Sequence, residues 1–135
     1  MIISRTPYRL SFFGGGTDYN AWYKNHGGLT IAVALKYSCY ISLRRLPPFF
    51  EHKHRVVWSN IELINEIADI RHPAVRAILE EMAFEDGMEI TYNADLPARS
   101  GLGSSSSFSV GLLNAGSMRR GVPRCPYPQI HNLLK

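Results

Sequence analysis

Asp95-Leu-Pro-Ala-Arg-Ser-Gly-Leu-Gly-Ser-Ser-Ser-Ser-Phe-Ser-Val-Gly-Leu-Leu-Asn114 decides how this chain folds. Alternating residues run into a glycine turn, and the turn runs into an apolar-periodic segment. Phe108, Leu112 and Ala115 recur at i, i+4 and i+7, which gives a helix over roughly 104–118 a buried face. Gly101 and Gly103 free the backbone so that successive N–H groups can point into one concavity. The first helical turn adds unpaired N–H groups and the positive end of the dipole. That combination is an anion site, and phosphate is the usual anion. A flexible Gly/Ser linker is the bland alternative, but linkers rarely lead straight into a periodic helix. One serine would cap the helix; four in a row, Ser104 to Ser107, exceed that need. No G-x-x-x-x-G-K-[ST] is present, Ser106 stands where a dinucleotide fingerprint needs its third glycine, and no G-x-S-x-G elbow forms.

Outward from this segment the chain reads as mixed α and β. Met88–Asn93 alternates as a half-buried strand. Pro73–Phe84 carries Val75, Ile78, Leu79 and Met82 at helical spacing, with Pro73 suited to a first turn and Gly87 to a stop. Val56–Trp58 reads as a strand, and 29–44 as one long strand or two. Residues 18–25 read as a short helix or loop closed by Gly27 and Gly28. Pro7 is expected to split the N-terminus into strands 1–5 and 8–13. His26, His52, His54 and His72 are read as solvated loop histidines rather than metal ligands, and Trp22 and Trp58 as core or partial core.

Composition excludes several classes. The chain has 135 residues, 45% hydrophobic and 19% charged, an ordinary globular balance. No apolar run approaches the roughly 18–20 residues a membrane span needs, and the N-terminus has no signal pattern. Cys39 and Cys125 lack scaffold or zinc spacing, so a reducing cytoplasm is expected. The net charge of +4 is uneven. Residues 1–95 hold ten Lys/Arg against eleven Asp/Glu, and residues 96–135 hold five Lys/Arg and no acid. Without a dense basic run interleaved with aromatics, no nucleic-acid or membrane partner is expected.

A second motif is Arg5-Thr-Pro-Tyr-Arg9-Leu-Ser-Phe-Phe-Gly-Gly-Gly-Thr-Asp18-Tyr-Asn20. Asp18 can accept two sugar hydroxyls, and Gly15 and Gly16 let a ligand approach the main chain. Arg9 can neutralise phosphate charge. Composition alone favours a plainer reading, with Arg5 and Arg9 as surface charges and Asp18 as a helix cap.

The two motifs together resemble the GHMP kinases, and this reverses the plainer reading. Pro97-x-x-x-Gly-Leu-Gly-Ser-Ser-Ser-Ser is similar to that family's nucleotide-phosphate loop. Gly-Gly-Gly-Thr-Asp18 with its preceding Phe12-Phe13 resembles the sugar motif of the heptose 7-phosphate kinase branch. The likeness covers roughly residues 3–115. It implies an α+β fold, the ribosomal protein S5 domain 2-like N-terminal lobe of a GHMP kinase, truncated before its C-terminal lobe. Residues 1–115 would be that domain, and 116–135 a divergent basic, Pro-rich tail.

The implied reaction is transfer of phosphate from ATP, with Mg²⁺, to a sugar or sugar phosphate, favouring the anomeric hydroxyl of a heptose 7-phosphate. By the same resemblance, Pro97, Gly101, Leu102, Gly103, Ser104, Ser105, Ser106 and Ser107 hold the nucleotide. Ser105 contacts Mg²⁺. Gly15, Gly16, Thr17 and Asp18 bind the sugar, and Arg9 lies near the transferred phosphate. The chain departs from the family after about Gly116. No acid follows Asp95 and no glycine cluster follows Gly103, where the family places a catalytic aspartate, a metal carboxylate and a third motif. The implied alternative is an inactive remnant that at most binds nucleotide.

Overall fold

The computed structural model describes residues 1–17, 19–97 and 100–121; Asp18, Ala98, Arg99 and residues 122–135, with Cys125 and most of the expected tail, lie outside the described residues. Five strands form one mixed sheet: β1 (Ile2–Phe13), β2 (Ile31–Arg45), β3 (His54–Val57), β4 (Ile61–Ile64) and β5 (Met88–Ala94). Their order across the sheet is β1-β2-β5-β3-β4. Only β3 and β5 run parallel; the other neighbours are antiparallel. The helices are α1 (Asn20–His26), α2 (Pro73–Met82) and α3 (Ser104–Arg119), with a 3-10 turn at Ile67–Asp69.

Pro7 does not divide β1. The strand runs unbroken for 12 residues, and the register shifts between Pro7 and Arg9. Two facts allow this: β1 is an edge strand, and the irregularity falls beside the proline that cannot donate. Residues 31–45 form one strand rather than two. Its second half, Cys39–Arg45, pairs with β5 on the side away from β1. Its first half pairs with β1 alone, so Arg9–Phe13 and Ile31–Ala34 form a two-stranded arm beyond β5. Residues 61–64 form a strand the periodicity does not announce, because four residues are too few to establish a period.

Alternation places Cys39, Ile41 and Leu43 of β2 and Met88 and Ile90 of β5 on one buried face. Helices α2 and α3 cover that face through Val75, Ile78, Leu79, Phe108, Leu112 and Leu113. Helix α3 is buried on most sides, from Ser107 to Ser117, and is the central element of the core. It continues across 115–116 to Arg119, with Gly116 and Ser117 buried. Helix α2 ends earlier than expected. Ala83 adopts a left-handed conformation at φ 46°, so the stop is Ala83 rather than Gly87.

Candidate nucleotide and sugar site

Strand β5 delivers the chain to the glycine segment at a fixed point. Asp95 N–H donates to the Ser38 carbonyl at 3.1 Å, and Asp95 Oδ2 accepts from Ser38 N–H at 2.8 Å. Arg5 Nε donates to Ser38 Oγ at 3.1 Å. After the turn, Gly103 stands at the N-cap of α3 in the left-handed region, φ 73°. Among the described residues, no side chain caps this helix. The first intrahelical bond is Ser107 N–H to the Gly103 carbonyl, 2.9 Å. The amides of Ser104, Ser105 and Ser106 therefore have no partner within the helix.

Those serines open into a cavity of about 710 Å³, lined by Gly101, Gly103, Ser104, Ser105, Ser106 and an aromatic wall. The wall is Trp58, His72, Tyr92 and Phe108. Its rings touch in sequence. Trp58 meets His72 edge-on at 5.1 Å, His72 lies against Phe108 at 4.8 Å, and Phe108 meets Tyr92 edge-on at 5.2 Å. The cavity lining thus joins the unpaired amides of the first turn to a row of aromatic rings. A depression of about 340 Å³ at the opposite end of the sheet, around Pro47–Lys53, collects no residue of either motif.

Arg9 joins the loop directly. Its N–H donates to the Leu102 carbonyl at 3.2 Å, and its side chain packs on Gly103, where an added Cβ would lie 3.2 Å from Arg9 Cγ. Ser107 faces away from the cavity; its hydroxyl donates to the Pro7 carbonyl at 3.1 Å. Pro97 and Leu102 border the loop without lining the cavity. Gly15, Gly16 and Thr17 lie past the far end of the arm. At roughly 3.3 Å per residue, Phe13 is about 13 Å along the strand from Arg9. There Thr17 is tied into the turn: its hydroxyl donates to the Gly14 carbonyl at 2.8 Å and accepts from Leu29 N–H at 3.3 Å. Gly14 has φ 86°, and a Cβ on it would collide with the Leu29 carbonyl. The structure thus brings Arg9 to the serine loop and holds Gly15, Gly16 and Thr17 on a separate, locked turn. Asp18 lies outside the described residues.

Two histidines depart from the solvated reading. His54 is 1% exposed, and its Nδ1 accepts from Met88 N–H at 3.4 Å. His72 is half-buried, and its Nδ1 accepts from Val75 N–H at 3.3 Å, capping α2. Burial pushes both imidazoles below their ordinary value, and nearby Lys53 pushes His54 the same way. Short-range pattern gives no sign of this, since both lie beside turns in sequence. Burial also pushes the Tyr8 phenol far up; its hydroxyl meets that of Tyr92 at 3.3 Å. The aromatic wall is the feature of this cavity that sequence reading missed. Its members come from β3's end, the start of α2, β5 and α3, and only the fold assembles them. Among the described residues, no cluster of three His, Cys, Asp or Glu is placed to hold a metal. No helix among them is long and apolar enough to cross a membrane.

Comparison with known proteins bears on the fold. No curated protein matches the sequence. Among solved structures, the chain is similar to a D-glycero-D-manno-heptose 1-phosphate kinase from Bacteriodes thetaiotaomicron. The TM-score is 0.72 at 21% identity, over 91% of this chain and 43% of that one. It is also similar to the Methanococcus jannaschii mevalonate kinase, at TM-score 0.70 and 20% identity over 98% and 44% of the two chains. Lactococcus lactis galactokinase, solved with galactose, gives TM-score 0.65 and 19% identity over 97% and 36%. The chain spans less than half the length of these structures. Residues 65–120 match the model of the GHMP kinases N terminal domain, and the described chain has the fold of the N-terminal part of these kinases.

Proposed function

We propose that the chain binds Mg-ATP between the serine loop and the aromatic wall, and serves phosphoryl transfer to a sugar or sugar phosphate. One observation carries the reading. The uncapped first turn of α3 opens onto a cavity whose other side is aromatic, with Arg9 packed on its N-cap glycine. Amides at a helix N-terminus suit phosphate, and a wall of aromatic rings suits a nucleobase. Ser104 and Ser106 contact the phosphates, and Ser105 is the residue proposed to reach the Mg²⁺ that arrives with the nucleotide. Arg9 neutralises charge on the transferred group, since such catalysis is mainly positioning and charge neutralisation. Asp18, with Gly15, Gly16 and Thr17, is proposed to hold the sugar. A heptose 7-phosphate, accepting at its anomeric hydroxyl, is the favoured acceptor, and the cytoplasm the favoured compartment.

A second reading, nucleotide binding without transfer, is favoured by the carboxylates: among the described residues no Asp or Glu lines the cavity. Glu62 and Asp95 are both already bonded to protein groups. Saturating Mg-ATP is expected to protect Gly101–Ser107 from proteolysis and to raise the melting temperature. If the wild-type chain showed neither change, the nucleotide reading would be overturned. Radiolabel transfer from ATP to heptose 7-phosphate, lost in Asp18→Ala, supports the kinase. Protection without transfer supports the second reading.

A further inference from the structure

We infer that Glu62 is a positioning residue for this cavity: its carboxylate fixes the Trp58 indole as the outer wall against which a nucleoside packs. The inference rests on the nucleotide reading above.

Glu62 sits on edge strand β4 yet is only 7% exposed. Both its oxygens are used. Oε1 accepts from Trp58 Nε1 at 2.8 Å, and Oε2 accepts from Arg71 N–H at 2.7 Å. One carboxylate therefore ties the turn after β3 to the segment that leads into α2. The rings further in are held by other means. His72 is fixed through Nδ1 to Val75, Tyr92 meets Tyr8, and Phe108 is buried in the core. Trp58 is the half-exposed end of that row, on a turn closed by its own N–H to the Asn60 carbonyl at 2.9 Å. An indole has a single donor, so one acceptor sets its orientation. A buried charged acceptor sets it firmly, and a wall fixed before the ligand arrives spares the ordering cost on binding. A purely structural Glu62 would only tie β4 to Arg71. It would then affect folding without distinguishing one end of the ligand from the other.

That difference is testable in the full chain carrying Trp22→Phe, which leaves Trp58 as the sole tryptophan. The probes are Mg-ATP, adenosine and inorganic tripolyphosphate, titrated by calorimetry, with acrylamide quenching of Trp58 in the free protein. Glu62→Gln keeps the size but cannot accept from both donors. It is expected to increase the quenching and to weaken Mg-ATP and adenosine about tenfold, the loss of one charge-assisted hydrogen bond's worth of order. Tripolyphosphate is expected to bind unchanged. Trp58→Phe is expected to lose the same ligands by a similar factor, and Glu62→Gln to add nothing to it. It carries the ligand test alone if Glu62→Gln does not fold. Unchanged quenching, equal loss for all three probes, or additive losses in the double variant overturn the inference. Wild-type chain that binds no Mg-ATP overturns the nucleotide reading and this inference with it. Wild-type binding that Glu62→Gln leaves intact overturns the inference alone.

Discussion

Gly103 carries two constraints at one position. It holds a left-handed φ of 73°, and its missing Cβ leaves room for Arg9. A side chain in that region costs about 1–2 kcal/mol, and here it also pushes on the arginine proposed to meet the transferred phosphate. Gly103→Ala is therefore expected to lower the melting temperature by several degrees and to weaken Mg-ATP binding in calorimetry. Gly101 has a similar φ of 75° with open space around it. Gly101→Ala should show the conformational cost without the effect transmitted through Arg9. Glycines at both positions are readable from sequence as a backbone that must bend. Their different surroundings are not, because Arg9 lies more than ninety residues away in the chain.

Among the elements, α3 decides the packing, and its two buried glycines behave differently. A Cβ at Gly111 would lie 2.9 Å from Thr6 Oγ1 and 3.2 Å from Ile41 Cγ1, both on the sheet beneath. A Cβ at Gly116 would meet the sulfur and terminal methyl of Met82, the far end of a flexible side chain on α2. Alanine in a helix interior gains up to about 1 kcal/mol over glycine, and overpacking against rigid neighbours costs about 1–3 kcal/mol. Gly111→Ala is expected to destabilise the fold, and Gly116→Ala to be neutral or mildly stabilising. Chemical denaturation of the two variants checks the order. Equal losses would mean that Met82 cannot move aside. The helix itself was legible from Phe108, Leu112 and Ala115. That it is enclosed on most sides was not, since its small residues form no polar stripe to mark a solvent face.

Taken as a whole, the molecule holds two imidazoles against its core, His54 buried and His72 half-buried. Each accepts a backbone hydrogen bond at Nδ1, and each is pushed below its ordinary value, so the unfolded chain takes the proton first. Their contribution is intact above the unfolded value of about 6.5 and is lost as pH falls below it. The melting temperature is expected to drop on acidification from about pH 7.5 to about pH 5. A His54→Asn, His72→Asn double variant should lose less over that interval than wild type, although it starts lower. A parallel drop in both would assign the acid sensitivity to carboxylates instead. The arm is the other molecular-scale feature. Phe12, Phe13, Leu29, Ile31 and Val33 are all exposed on it, a concentration of apolar surface unusual for a monomer. Concentration-dependent self-association is expected by analytical ultracentrifugation, and Ile31→Lys with Val33→Lys should suppress it. A monomer at all concentrations would show that the arm is tolerated by water as it stands.

The sequence by itself determined the local chemistry. A glycine turn before a serine-rich helix leaves amides unpaired at its start, because those amides and the dipole belong to the first turn alone. The alternation in β5 and the spacing in α2 likewise marked their buried faces. Tertiary structure decided what surrounds that turn. Trp58, Glu62, His72 and Tyr92 come from separate elements, and Arg9 from the opposite edge of the sheet. No spacing along the chain encodes their meeting. It arises when β5 inserts between β2 and β3, which sets Trp58 and Tyr92 beside the start of α3.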